Sequence, residues 1–152
     1  MSDDPTTVEA CKHARILAIG IADCMVQCLS LVFSGHADLV AVASTEQGLK
    51  RFAGEPFDIV LTNLGYEGSA GHLDREGFAL IPRLHRIHRH VPVAIITGAG
   101  DCPQLVQEAR RVGAFKVFFT PFAMDEQFLN TIRREIDSQR QSRSSRSSVH
   151  FV

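Results

Sequence analysis

The sequence predicts an α/β protein with one five-stranded parallel sheet between two layers of helices. Two observations predict it. Short apolar runs alternate with segments of helical periodicity five times along the chain. The apolar runs are continuous rather than alternating, as expected of strands covered on both faces. Strands joined through helices run parallel, because each crossover returns the chain to the same end of the sheet.

Residues 15–19 (RILAI) give the first strand. Residues 23–33 follow, with Met25, Leu29, Val32 and Phe33 at spacings of three and four, the period of a helix with one buried face. Asp23 lies where it can N-cap that helix. Cys24 and Cys28, four apart on it, are expected to be buried structural thiols. Residues 38–43 (DLVAVA) give the second strand. Ser44 then caps a helix over 45–53, with Leu49 and Phe52 facing inward. Residues 58–63 (DIVLTN) give the third strand, and a glycine-rich loop over 65–76 follows. The next helix, over 78–89, is patterned by Phe78, Leu80, Ile81, Leu84 and Ile87. Residues 91–97 (VPVAIIT) give the fourth strand. Asp101 caps a helix over 102–112, with Pro103 in its first turn, where a missing N–H costs nothing. Residues 115–119 give the fifth strand and 124–136 the last helix. Beyond that the chain turns to serine and arginine without periodicity, and a disordered tail is expected.

Sixteen Lys and Arg against 17 Asp and Glu leave a net charge of −1. No global field draws the chain to nucleic acid or acidic lipid, so nucleic acid is not an expected partner. The ends differ in sign: Asp3, Asp4 and Glu9 against Arg133, Arg134, Arg140, Arg143 and Arg146. No apolar run approaches the roughly 20 residues that span a bilayer. The first residues lack the basic and apolar regions of a signal peptide. A cytoplasmic protein with reduced thiols and no membrane partner is expected. Cys11, Cys24, Cys28 and Cys102 have no zinc-type spacing. His85 and His88 share a helix face but lack an evident third ligand, so no metal is expected. The helix dipole at that C-terminus accounts for the cluster. No cofactor is implied.

In open parallel sheets, binding and chemistry gather beyond the carboxyl ends of the strands, near the point where strand order reverses. Here those ends carry Gly20, Ile21, Asn63, Thr97 and Thr120. Three stretches around them resemble the receiver (CheY-like) domain of bacterial response regulators, over about residues 15–136. DIVLTNL, at 58–64, resembles the family's third strand, with Asn63 at the phosphoacceptor position. PVAIITG, at 92–98, resembles the fourth, with Thr97 at the hydroxyl position. GAFKVFFTPF, at 113–122, resembles the fifth strand and its turn, with Pro121 at a position that usually holds a cis-proline preceded by lysine. The resemblance implies a flavodoxin-like strand order 2-1-3-4-5. It places a receiver-like domain at 14–137, between an N-terminal extension (1–13) and the tail (138–152). No helix-turn-helix output module is expected on this chain.

The departures from the family are chemical. Two acidic residues that hold magnesium are replaced by Gly20 and Ile21. The phosphoacceptor is Asn63, the lysine is Thr120, and the aromatic switch position is Val117. A neutral amide is a poor nucleophile and a poor ligand for a hard cation. Lys116, four residues before Thr120, lies roughly 13 Å away at the other end of its strand and cannot supply the missing ammonium. The loop after Asn63 is about six residues longer than the family's, and Gly65-Tyr66 stands where methionine-proline is typical.

The expectation is therefore a non-enzymatic pseudo-receiver, a protein-interaction module in two-component signalling that acts without phosphorylation. By resemblance its partner surface is the face of the fourth helix, fifth strand and fifth helix, with Leu105, Val117 and Phe119 contributing beside Tyr66 of the long loop. A homodimer through that face is expected. The alternative is a small-molecule sensor with a ligand in the less polar strand-end pocket. Gly98-Ala99-Gly100-Asp101 is expected to be a plain turn rather than an anion cradle. An enzyme using Cys102 or Thr97 is the least favoured reading.

Overall fold

A computed structural model describes residues 14–64, 66–67, 72–73, 75–97, 103–119 and 125–149, with side chains described outside 64–78 and 142–149. Five strands, β1 (Ala14–Ile19), β2 (Ala37–Val42), β3 (Ile59–Leu64), β6 (Val93–Thr97) and β7 (Lys116–Phe119), form one sheet in the order β2-β1-β3-β6-β7. All four pairings are parallel. This is the 2-1-3-4-5 order expected from the sequence. Between β3 and the next helix, β4 (Tyr66–Glu67) pairs antiparallel with β5 (His72–Leu73) as a separate ribbon.

Side-chain alternation sends successive strand residues to opposite faces, and helices bury both. On one face Leu17, Ile19, Val60, Val93 and Ile95 meet α2 (Thr45–Gly54), α3 (Arg75–Ile87) and α4 (Pro103–Val112) through Leu49, Phe52, Leu80, Ile81, Leu84 and Leu105. On the other, Ile16, Ala18, Ile59, Leu61 and Ile96 meet α1 (Asp23–Phe33) and α5 (Glu126–Val149) through Leu29, Phe33, Phe128, Leu129 and Ile132. The Phe128 ring lies 5.0 Å from Phe118 and 5.9 Å from Phe33, centroid to centroid, tying β7 and α1 to α5. β2, at the edge, is only partly covered.

Two glycines fix close approaches. Gly48 of α2 lies over β1, where an added Cβ would come within 2.5 Å of Ile19 Cδ1. Gly113, just past α4, has φ +110° and faces the His85 ring, which a Cβ would meet at 2.8 Å. Gly113→Ala is expected to cost about 1–3 kcal/mol, from the left-handed backbone and the collision together. Urea unfolding of the variant checks this. His85 itself is held by a 2.9 Å hydrogen bond between its Nε2 and the Val91 carbonyl, which pins the end of α3 to the approach of β6.

Ser44 caps α2 as the sequence predicts, its hydroxyl accepting from the Gln47 N–H at 3.2 Å. Gln47 reaches back to accept from the Ala43 N–H, a variant of the capping box. Other expectations need correction. Asp23 is not the cap of α1: Ala22 holds that position without a side-chain bond, and Asp23 is the first helical residue. Its carboxylate favours the helix by charge alone. Cys24 and Cys28 are exposed, not buried, because the inward phase set by Leu29 and Phe33 turns them to solvent. The loop expected over 65–76 contains the β4–β5 ribbon, and α3 begins at Arg75 and carries Pro82 within it.

The last helix runs through Val149 rather than ending at 136, so the tail predicted to be disordered is helical up to that residue. The segment contains no glycine or proline to stop it. Arg140 anchors the extension, its Nε and Nη2 donating to Asp58 Oδ1 and Oδ2 at 3.1 and 3.0 Å. Asp58 Oδ2 also accepts from the Arg15 N–H at 2.9 Å, at the amino-terminal end of the sheet. Beside it the Arg15 guanidinium stacks 4.7 Å from the Phe57 ring centroid and binds Glu55 at 2.8 Å.

Hydrogen bonds from Arg15, and then from Arg51, hold the Glu55 carboxyl below the usual glutamate range. A lowered folded-state pKa stabilises the protein above the ordinary glutamate pKa, and that contribution disappears as pH falls through the lowered value. Glu55→Gln is therefore expected to be less stable than the parent at neutral pH. The gap should close as pH falls from the ordinary glutamate range through the lowered value, which thermal unfolding across acidic pH measures.

Candidate functional site at the strand carboxyl ends

The registers bring Gly20, Asn63 and Thr97 to one edge. Ile19 of β1 is level with Thr62 of β3, which is level with Ile95 of β6. Gly20 thus follows β1 at the height of Asn63, which pairs with Ile96. Thr97 lies one step further along β6, level with Leu64 and Phe119. Asn63 is half-buried, while Thr97 and Thr62 are the two buried polar residues of the described core. Thr62, unremarked in the sequence, adds a second buried hydroxyl beneath this edge.

Gly20 has φ +68°, a left-handed backbone that glycine adopts without strain. Its N–H donates to the Val42 carbonyl at 2.9 Å, closing β1 against β2. The turn directs Ile21 inward, where it is 9% exposed and packs in the cluster of Leu29 and Phe33. Ile21 is thereby a core position and Gly20 a conformational one.

The strands thus end on Ile19, Val42, Asn63-Leu64, Thr97 and Phe119, with Gly20 and Ala43 following the first two, and none of these residues is charged. The nearest carboxylate along the chain, Asp23, is exposed at the start of α1. Among the described residues no cluster of three His, Cys, Asp or Glu could hold a metal ion. Lys116 begins β7 and is exposed, so it stands at the far end of that strand from the site. The amide of Asn63 can donate and accept hydrogen bonds but offers no anionic oxygen to a cation or a phosphorus centre.

Over the ends of β1 and β2 lies an open groove of about 420 Å³, lined by Gly20, Ile21, Ala22, Asp23, Val26, Ala41, Val42 and Ala43. Small residues leave the space, and Asp23 is its one charged side chain. It lies one strand away from the β1/β3 crevice where the strand order reverses.

The predicted partner face divides. Leu105 is fully buried in the core and is no surface residue, since α4 turns Leu105 and Ala109 together toward the sheet. Val117 and Phe119 are half-buried on β7, the edge strand, packed against the same core. Tyr66 belongs to β4, and its side chain lies outside the described residues. Thr120, Pro121, Gly98 to Asp101 and Cys102 also lie outside them. His85 and His88 have separate tasks: His85 bonds Val91, and the His88 ring lies edge-on to Phe52, 6.5 Å between centroids.

No family model matches the chain. Among curated proteins, it is 38% identical over 65 residues to the C4-dicarboxylate transport transcriptional regulatory protein DctD of Pseudomonas aeruginosa, over 43% of this chain and 14% of that protein. It is 32% identical over 93 residues to the response regulator protein FleR of Pseudomonas aeruginosa, over 61% of this chain and 18% of that protein. The chain thus spans less than a fifth of the length of these relatives. Among solved structures, it superposes on a CheY-like response regulator receiver domain protein from Methanospirillum hungatei with a TM-score of 0.69 at 17% identity. That match covers 86% of this chain and 99% of that one. The fold is the CheY-like receiver fold.

Proposed function

We propose that this chain is a receiver-type module of two-component signalling that works through protein contacts, without phosphoryl transfer and without enzymatic activity. One observation carries the reading: the strand ends present Gly20, a buried Ile21 and Asn63 where receiver chemistry needs carboxylates. A dianionic phosphoryl group placed there would have no metal ligand and no nucleophile among these residues. The likeness to regulators supports a signalling role, and the relatives' greater length leaves room for other domains to act with such a module. The recognition surface in this reading is the α4–β7–α5 face, where Val117 and Phe119 back an edge strand whose outer side can meet a protein partner or a second copy.

Incubation with a small phosphodonor and magnesium, followed by intact mass measurement, tests the reading. No acid-labile phosphoryl adduct is expected. A stoichiometric adduct mapped to the segment around Asn63 would refute it. A second reading, a small-molecule sensor, draws on the uncharged strand ends and the groove beside Gly20 and Ile21. A metabolite that raises the melting temperature of the parent, but not that of a variant with Ala41→Leu filling the groove, would favour it over the contact module.

A further inference from the structure

The outer face of α1 is unusual for a surface helix. Leu29 and Phe33 are buried and Met25, Val26 and Val32 half-buried, so the opposite face is composed of Cys24, Gln27, Cys28 and Leu31. All four are exposed, Leu31 to 79%. Asp23 is the helix's one charged residue. Neither thiol fills the core, and both are free. Residues four apart on a helix have Cβ atoms about 5–6 Å apart on the same face, which allows two sulfurs to converge on one small ion.

We propose that Cys24 and Cys28 form a two-thiolate site for a soft, thiophilic d10 metal ion of the Cu(I) or Hg(II) type. The donor set selects the ion. Structural zinc takes four ligands, whereas no third His, Cys, Asp or Glu joins this pair among the described residues. Soft thiolates select ions such as Cu(I), which accept two sulfur ligands. Binding involves no electron transfer: each thiol releases its proton to solvent, and two metal–sulfur bonds form. The ion would bridge successive turns at the start of α1, the segment that also lines the strand-end groove through Asp23 and Val26. The proposal is independent of the signalling reading.

The test uses the reduced full-length chain, titrated with Cu(I) against a chromophoric Cu(I) chelator. One tightly held ion per chain is expected, without change in oligomeric state. Cys24→Ser and Cys28→Ser should each weaken binding by about 100-fold, because chelation is lost. Cys11→Ser/Cys102→Ser should bind like the parent. Both single variants change exposed residues, and circular dichroism verifies their folding. The site is overturned if Cys24→Ser or Cys28→Ser retains parental affinity, or if Cys11→Ser/Cys102→Ser loses it. Half an ion per chain with metal-dependent dimers would also overturn it, since the ion would then bridge two molecules.

Discussion

Ile21→Asp is expected to destabilise the protein by roughly 3–5 kcal/mol, a large share of a typical domain's stability. Ile21 packs with Leu29 and Phe33 under α1. The substitution removes that apolar burial and obliges a carboxylate either to lose its hydration or to pull the β1–α1 turn open. Urea unfolding measures the loss. Stability unchanged within about 0.5 kcal/mol would mean that the side chain lies outside the core, in a cleft where an acid is tolerated. The consequence for function is direct. In the proposed reading, Asn63→Asp alone is expected not to create a magnesium site, because Ile21 packs in the core and Gly20 holds its left-handed turn.

Asp58→Ala is expected to cost about 2–3 kcal/mol and to loosen the end of α5. One carboxylate receives the Arg140 guanidinium on both oxygens and the Arg15 N–H. Its side chain is only 15% exposed, so the bonds are partly shielded from water. Without it, the helix beyond Ile136 loses its link to the amino-terminal end of β3. Hydrogen exchange should then accelerate in that part of α5, while the amides of β1 and β6 keep their relative order of protection. Equal exchange in parent and variant would show that the extension is held by its other contacts.

The sheet was legible because its information is local and redundant. ILAI (16–19) and VAII (93–96) are continuous apolar runs, and no other arrangement covers two apolar faces per strand so simply. The strand-end residues were legible for the same reason: once β1, β3 and β6 are placed, Gly20, Asn63 and Thr97 follow by position. The misreadings have physical causes. Cysteine as a residue type suggests burial, but the spacing of Met25, Leu29, Val32 and Phe33 turns Cys24 and Cys28 outward. Analogy of face puts Leu105 at the surface, but Leu105 and Ala109 stand one turn apart on the inward stripe of α4. The long last helix depends on an ion pair across 82 residues, which no local pattern in a serine–arginine segment reveals. The β4–β5 ribbon is two residues to a strand, too short for any periodicity to register.

In the proposed reading, the strand ends cannot assemble a cation and a phosphoryl mimic. Beryllofluoride titration at millimolar magnesium, followed by 19F NMR on the full chain, tests this. Only free fluoride and free beryllofluoride signals are expected, with no magnesium-dependent bound species. Saturable, one-to-one, magnesium-dependent binding that disappears in Asn63→Ala would contradict it.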